Sequence, residues 1–180
     1  MTLACLLALG ACSADTEIGQ GDPAPHFLAT TFDGSAVRFP ELLEGKPTVV
    51  VFWATWCSYC RAFMPELKKI HDDYGADRIN ILTINAHEDG VEDPAAHIAD
   101  LGFPTIAVRD GDAIAAAYDV EYIPGLMVVD GDGIIAYRRA WTDLPAGQAV
   151  ANLWAIQVRL NLDRLLASAS VAGDVASFRL

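Results

Sequence analysis

The chain is poor in positive charge. It carries 12 Lys and Arg against 24 Asp and Glu, a net charge of −12. The phosphate backbone of nucleic acid demands Lys and Arg, so a nucleic-acid partner is excluded. Cysteine is scarce too. Cys5, Cys12, Cys57 and Cys60 are the only four in 180 residues, too few for a disulfide-stapled framework. No cysteine follows Cys60, and the later His71 and His87 form no pair at ligand spacing. The second half of a zinc site, which takes four ligands, is therefore missing. An apolar run long enough to cross a bilayer, roughly 20 residues, is also lacking; Thr2–Ala11 is too short.

What is present points to one compact domain with modest extensions. Hydrophobic residues make up 53%, enough for a core and too many for a disordered chain. The acid is unevenly spread: Asp72 to Asp132 holds 14 acidic residues and only Arg78 and Arg109 as bases, so it accounts for the whole net charge. Such a stretch is a solvated face or an acidic rim that selects basic partners.

The first residues read as an address. Thr2–Ala11 is apolar and small and resembles the end of a secretory signal. Leu9-Gly10-Ala11-Cys12 is similar to a bacterial lipobox, followed by a polar tether from Ser13 to Glu17. That resemblance implies cleavage before Cys12 and lipidation of its thiol; an ordinary cleaved signal is the plainer alternative. The expected organisation is a signal segment over 1–11, a lipidated tether over 12–20, a folded domain over 21–167 and a loose tail over 168–180.

Along the domain, Thr31-Phe32-Asp33-Gly34 predicts a turn between two short strands, and Pro40–Leu43 a single helical turn. Lys46–Ala54 is β-branched and aromatic, the pattern of a buried central strand. Phe63, Leu67, Ile70 and Tyr74 recur at helical spacing over Ser58–Tyr74, with Pro65 inside and Gly75 as a stop. Strands follow at Arg78–Asn85, Pro104–Val108, Leu126–Val129 and Ile134–Arg138. Helices are expected from Asp93-Pro94 to Leu101, over Ala113–Tyr118 with Asp112 as cap, and from Pro145 onward. Strands alternating with helices and ending in a hairpin indicate an α/β fold with a mixed sheet.

Trp56-Cys57-Ser58-Tyr59-Cys60 lies where the central strand passes into a helix. The N–H groups and partial positive charge of a helix start stabilise a thiolate at the first cysteine. Cys57 is then placed to attack, and Cys60, one turn on, to resolve the mixed disulfide. An inert structural disulfide is the alternative, but closing so short a loop removes little chain entropy.

Phe52-Trp53-Ala54-Thr55-Trp56-Cys57-Ser58-Tyr59-Cys60-Arg61 together with Pro65 resembles the active-site segment of the thioredoxin superfamily. The opening Gly21–Phe27 and the extra strand and helix from Ile79 to Leu101 resemble, more narrowly, the TlpA/ResA-like thiol–disulfide oxidoreductases of bacterial envelopes. The resemblance implies a thioredoxin-like fold with a strand–helix insertion after the active-site helix. It further implies that Pro124 is cis, faces the disulfide, and with Ile123 and Trp56 receives an extended client by strand addition. Gly125 departs from the family's frequent threonine, and Val51 stands where thioredoxin has a buried acid. In the ResA-like group a glutamate does related work; Glu88 matches it and would accept a proton from Cys60.

These readings converge on a lipid-anchored, periplasmic, monomeric protein disulfide oxidoreductase. Its clients are proteins with thiols or disulfides, of the cytochrome-c or copper-site type by resemblance. A membrane thiol reductant restores the dithiol, and the Cys57–Cys60 pair serves in place of any cofactor or metal. Two alternatives stay open. A thiol peroxidase would resemble Thr-x-x-Cys, where Ala54 stands instead. A Cu(I) chaperone would use the soft thiolates and a histidine.

Overall fold

The computed structural model describes the backbone of residues 18–177 and side chains over residues 18–170. The expected signal segment, Cys12 and the tether up to residue 17 lie outside the described residues. Residues 18–20 at the end of the expected tether are described. Ile18 packs against the domain, and its N–H donates to an Asp119 carboxylate oxygen at 3.0 Å.

Strands β1 (Phe27–Thr30) and β2 (Ala36–Phe39) form an antiparallel hairpin, followed by a 3-10 turn at Glu41–Leu43. The main sheet contains β3 (Thr48–Trp53), β4 (Asn80–Asn85), β5 (Ile106–Val108), β6 (Gly125–Val129) and β7 (Ile135–Arg138). Its order is β5-β4-β3-β6-β7, with β4 and β5 parallel to the centre and β6 and β7 antiparallel. Helices α1 (Ser58–Tyr74), α2 (Pro94–Ala99), α3 (Asp112–Ala117) and α4 (Gln148–Ser177) complete the chain. This is the mixed α/β thioredoxin-like arrangement that the sequence predicts, with β4 and α2 following the active-site helix.

The central strand β3 is buried on both faces, as its unbroken apolar run requires. Side chains alternate across a strand, so Val49, Val51 and Trp53 join α1 and α4 in one core. Val50 and Phe52 join Phe39, Tyr118 and Ile135 in the other. Each such side chain contributes about 1.5–3 kcal/mol by leaving water. Helix α1 runs unbroken through Pro65 and turns Phe63, Leu67 and Ile70 inward. Its end is tied to α4: the Tyr74 hydroxyl donates to Asp163 at 2.7 Å, and Arg159 pairs with Asp73.

Three expectations are corrected. Asp112 does not cap α3; the cap position is Gly111, without a side-chain bond. The Asp112 carboxylate instead accepts the His87 N–H at 2.6 Å, a tertiary partner that local pattern cannot show. The segment after Ala167 is not loose. Helix α4 continues to Ser177: the alanine, serine and valine of residues 167–172 carry it on, and it passes through Gly173. The helix also begins at Gln148, three residues after Pro145.

Candidate active site

Strand β3 ends at Trp53, and the turn that follows carries the Cys57 N–H back to the Ala54 carbonyl at 3.2 Å. That turn sets Cys57 as the N-cap of α1, extended at φ −75°, ψ 104°. Its sulfur accepts the Cys60 N–H at 3.1 Å, the bond a capping oxygen would make. Cys57 and Cys60 are joined as a disulfide with Cα atoms 5.2 Å apart. The first turn of α1 holds no acidic residue, so nothing in it offsets the positive end of the helix dipole.

A groove of about 390 Å³ opens beside the disulfide. Trp56, Cys57, Tyr59, Tyr122, Pro124 and Trp141 lie on its wall, and Cys60 does not. Both residues are almost fully buried, and it is Cys57, the N-cap, that borders the groove. The Ile123–Pro124 peptide bond is cis. None of the hydrogen bonds among the described residues uses the Ile123 N–H or C=O, which leaves both available to an extended chain. Gly125 owes its identity to packing. A Cβ there would stand 2.7 Å from Val120 Cγ1 and 3.1 Å from Phe52 Cδ2.

Glu88 reaches the segment just ahead of the disulfide. Its Oε1 accepts the Thr55 N–H at 2.8 Å and Oε2 accepts the Thr55 hydroxyl at 2.7 Å. Asn85 Nδ2 donates to Oε1 as well. Thr55 is fully buried, and its carbonyl accepts Arg61 Nη1 at 2.8 Å. Every polar group of Thr55 is thereby held. His87 sits at φ 60° and lines the groove. Its carbonyl accepts the Trp56 indole N–H at 2.7 Å, which fixes one wall. The Tyr59 hydroxyl donates to the Leu144 carbonyl at 2.9 Å and fixes another.

The walls are aromatic more than acidic. Glu121 is the one carboxylate on them and Arg139 the one permanent cation, so of the 14 acidic residues between Asp72 and Asp132 only one faces the groove. Among the described residues no group of three or more His, Cys, Asp or Glu could hold a metal ion. Sequence reasoning brought Trp56, Cys57, Cys60, Glu88, Ile123 and Pro124 to one region, and the structure gathers them there. It passed over Thr55, Arg61, Arg139, Trp141 and Trp154. Thr55 and Arg61 stand beside the cysteine pair in sequence; Arg139, Trp141 and Trp154 carry no local signal.

Comparison with known proteins agrees with this geometry. A sequence profile described as the AhpC/TSA family matches residues 20–138. The chain is 31% identical to the thiol-disulfide oxidoreductase ResA of Bacillus cereus over 69% of its length and 72% of that protein. It is 32% identical to the thiol:disulfide interchange protein DsbE of Escherichia coli over 67% of its length and 64% of that protein. A secreted disulfide oxidoreductase of Mycobacterium tuberculosis superposes with a TM-score of 0.57 at 22% identity, covering 73% of this chain and 95% of that one.

Proposed function

The chain belongs to the AhpC/TSA family and is a thiol–disulfide oxidoreductase of the thioredoxin superfamily; from that premise we propose that it acts as a reductant of protein disulfides, tethered to the bacterial envelope through Cys12. The observation that carries the reading is the seat of Cys57: it is the N-cap of α1, joined to Cys60 one turn on, and it borders the groove beside the cis Ile123–Pro124 bond. In the reduced enzyme the Cys57 thiolate attacks a client disulfide and releases one client thiolate. Cys60 then loses its proton and attacks Cys57 Sγ. The second client thiolate leaves and the Cys57–Cys60 disulfide remains; two electrons pass to the client, whose thiolates take up the proton lost by Cys60 and one from solvent.

Glu88 serves the second step in this reading. Three of about four lone-pair sites on its carboxylate are engaged by Thr55 and Asn85. The fourth is unengaged, which supports the role of proton acceptor for Cys60. Trp56 and Ile123 receive the client, the latter by backbone pairing. Clients of the cytochrome-c or copper-site type and a membrane thiol reductant complete the cycle. Among the described residues no helix is long and apolar enough to cross a membrane; the tether in this reading is a lipid on Cys12.

The test is capture. Cys60→Ser with Cys57 intact is expected to accumulate a mixed disulfide with envelope proteins, released by dithiothreitol, whereas Cys57→Ser accumulates none. If Cys60→Ser traps no protein, disulfide exchange with protein clients is refuted. The direction is read separately from the Cys57–Cys60 reduction potential: a value near thioredoxin's about −270 mV supports a reductant, and one near about −120 mV refutes it.

A further inference from the structure

Arg139 follows β7 and reaches back across the sheet to the cis-prolyl turn. Its Nε and Nη2 donate to the Pro124 carbonyl at 3.0 and 2.6 Å, and its Nη1 donates to the Ala140 carbonyl at 3.2 Å. The guanidinium carbon lies 4.8 Å from the centroid of the Trp154 ring on α4. Trp154 is buried and its own N–H donates to the Thr142 hydroxyl at 3.3 Å, so the platform under the cation is held from both sides. Among the described residues no carboxylate lies within ion-pair distance of Arg139. Burial accordingly lowers its pKa from the ordinary value.

Withdrawing a guanidinium from water without a counter-charge is costly, and three N–H bonds to carbonyls offset only part of that cost. What the arrangement achieves is local. Proline has no N–H, so the carbonyl is the sole backbone hydrogen-bonding group of residue 124. A forked donor on that oxygen fixes the plane of the following peptide and with it the turn that carries Ile123.

We propose that Arg139 is a positioning residue for exchange with protein clients: seated on Trp154, it clamps the Pro124 carbonyl and so presents the Ile123 backbone already ordered to an incoming strand. The inference rests on the function proposed above and adds a residue to its client site. Without the clamp, ordering of the turn is deferred to the binding step, which lowers the rate for an extended client by about tenfold. A small disulfide that does not pair with the backbone is spared.

The experiment compares two substrates with the whole reduced protein, oxidation being followed by tryptophan fluorescence. Insulin supplies a protein disulfide and cystamine a small one. Arg139→Met keeps length and packing on Trp154 and removes the donors. It is expected to slow reaction with insulin by about tenfold and with cystamine by less than about twofold. Arg139→Lys retains one donor for the Pro124 carbonyl but no fork, and is expected to fall between Met and wild type with insulin. Equal loss on both substrates, unchanged insulin reduction, or a lysine variant no better than methionine each overturns the clamp. Should the methionine variant fail to fold, the lysine variant alone decides by whether its insulin loss exceeds its cystamine loss. A wild-type protein that reduces neither substrate refutes the functional reading itself, a result distinct from active variants that match wild type.

Discussion

Replacing Glu88 with glutamine separates anchoring from proton transfer at this site. The carboxylate accepts three hydrogen bonds, two at Oε1 from the Thr55 N–H and Asn85 and one at Oε2 from the Thr55 hydroxyl. Glutamine keeps the length and one acceptor. Its oxygen remains on the Thr55 N–H and Asn85, and its NH₂ turns to the Thr55 hydroxyl, which rotates to accept. The geometry survives but the charge does not. Bonds worth about 1.5–3 kcal/mol with a charged partner fall to about 0.5–1.5 kcal/mol each. Partial exposure of the site brings the net loss to about 2 kcal/mol. With a urea slope of roughly 2 kcal/mol/M, the unfolding midpoint of the oxidised protein drops by about 1 M, the slope unchanged. The same variant lacks a proton acceptor. Oxidation of the dithiol through Cys60 is expected to slow by about a hundredfold, while alkylation of Cys57 by iodoacetamide is not. A midpoint within about 0.3 M of wild type would refute the hydrogen-bond reasoning. A normal Cys60 step in a destabilised variant would refute the proton transfer and leave Glu88 as an anchor alone.

Three other outcomes follow from the same structure. Gly125→Ala drives a methyl against Val120 and Phe52 and is expected to cost about 1–3 kcal/mol in urea unfolding; adding Val120→Ala should make the double variant less unstable than the summed single losses by more than about 0.5 kcal/mol. Glu66 is buried on α1, bonded to Lys69 Nζ and to Gln148 Nε2 of α4, both at 2.7 Å. The Lys69 hydrogen bond, foremost, holds its pKa below the ordinary 4.5 against the opposing effect of burial. A depressed folded-state pKa adds stability above the unfolded value that is lost as pH falls through the folded one. The stability gap between wild type and Glu66→Gln, read by urea unfolding across pH, should therefore narrow below pH 4.5; a constant gap would contradict this. Trp56→Phe removes the indole donor to the His87 carbonyl and is expected to slow reaction with insulin several-fold while leaving the Cys57–Cys60 potential within about 10 mV, as redox titration against glutathione would show.

The sequence by itself determined the fold class and the reacting pair. An apolar run such as Thr48–Trp53 has only one comfortable place, the middle of a covered sheet, and a Cys-x-x-Cys at its end meets a helix start whose dipole acts on the first thiol. These are properties of neighbours along the chain, where periodicity and spacing speak directly. The full extent of α4 is not legible in this way: alanine and serine over residues 167–170 favour continuing a helix, but Gly173, which α4 passes through, reads as a stop.

Tertiary structure alone decided which side chains serve the site. Asp112 has the look of a helix cap and bonds His87, 25 residues away. Glu88 is one acid among several until Thr55, 33 positions earlier, places both its donors against the carboxylate. Gly125 reads as a missing threonine until Val120 and Phe52 show that no Cβ fits. Arg139 carries no local signal at all, because its two partners, Pro124 and Trp154, are each 15 residues away in opposite directions. The physical reason is common to all four. A hydrogen bond or a steric contact acts over a few ångströms in space, and only the folded sheet brings β3, the cis-prolyl turn and α4 that close.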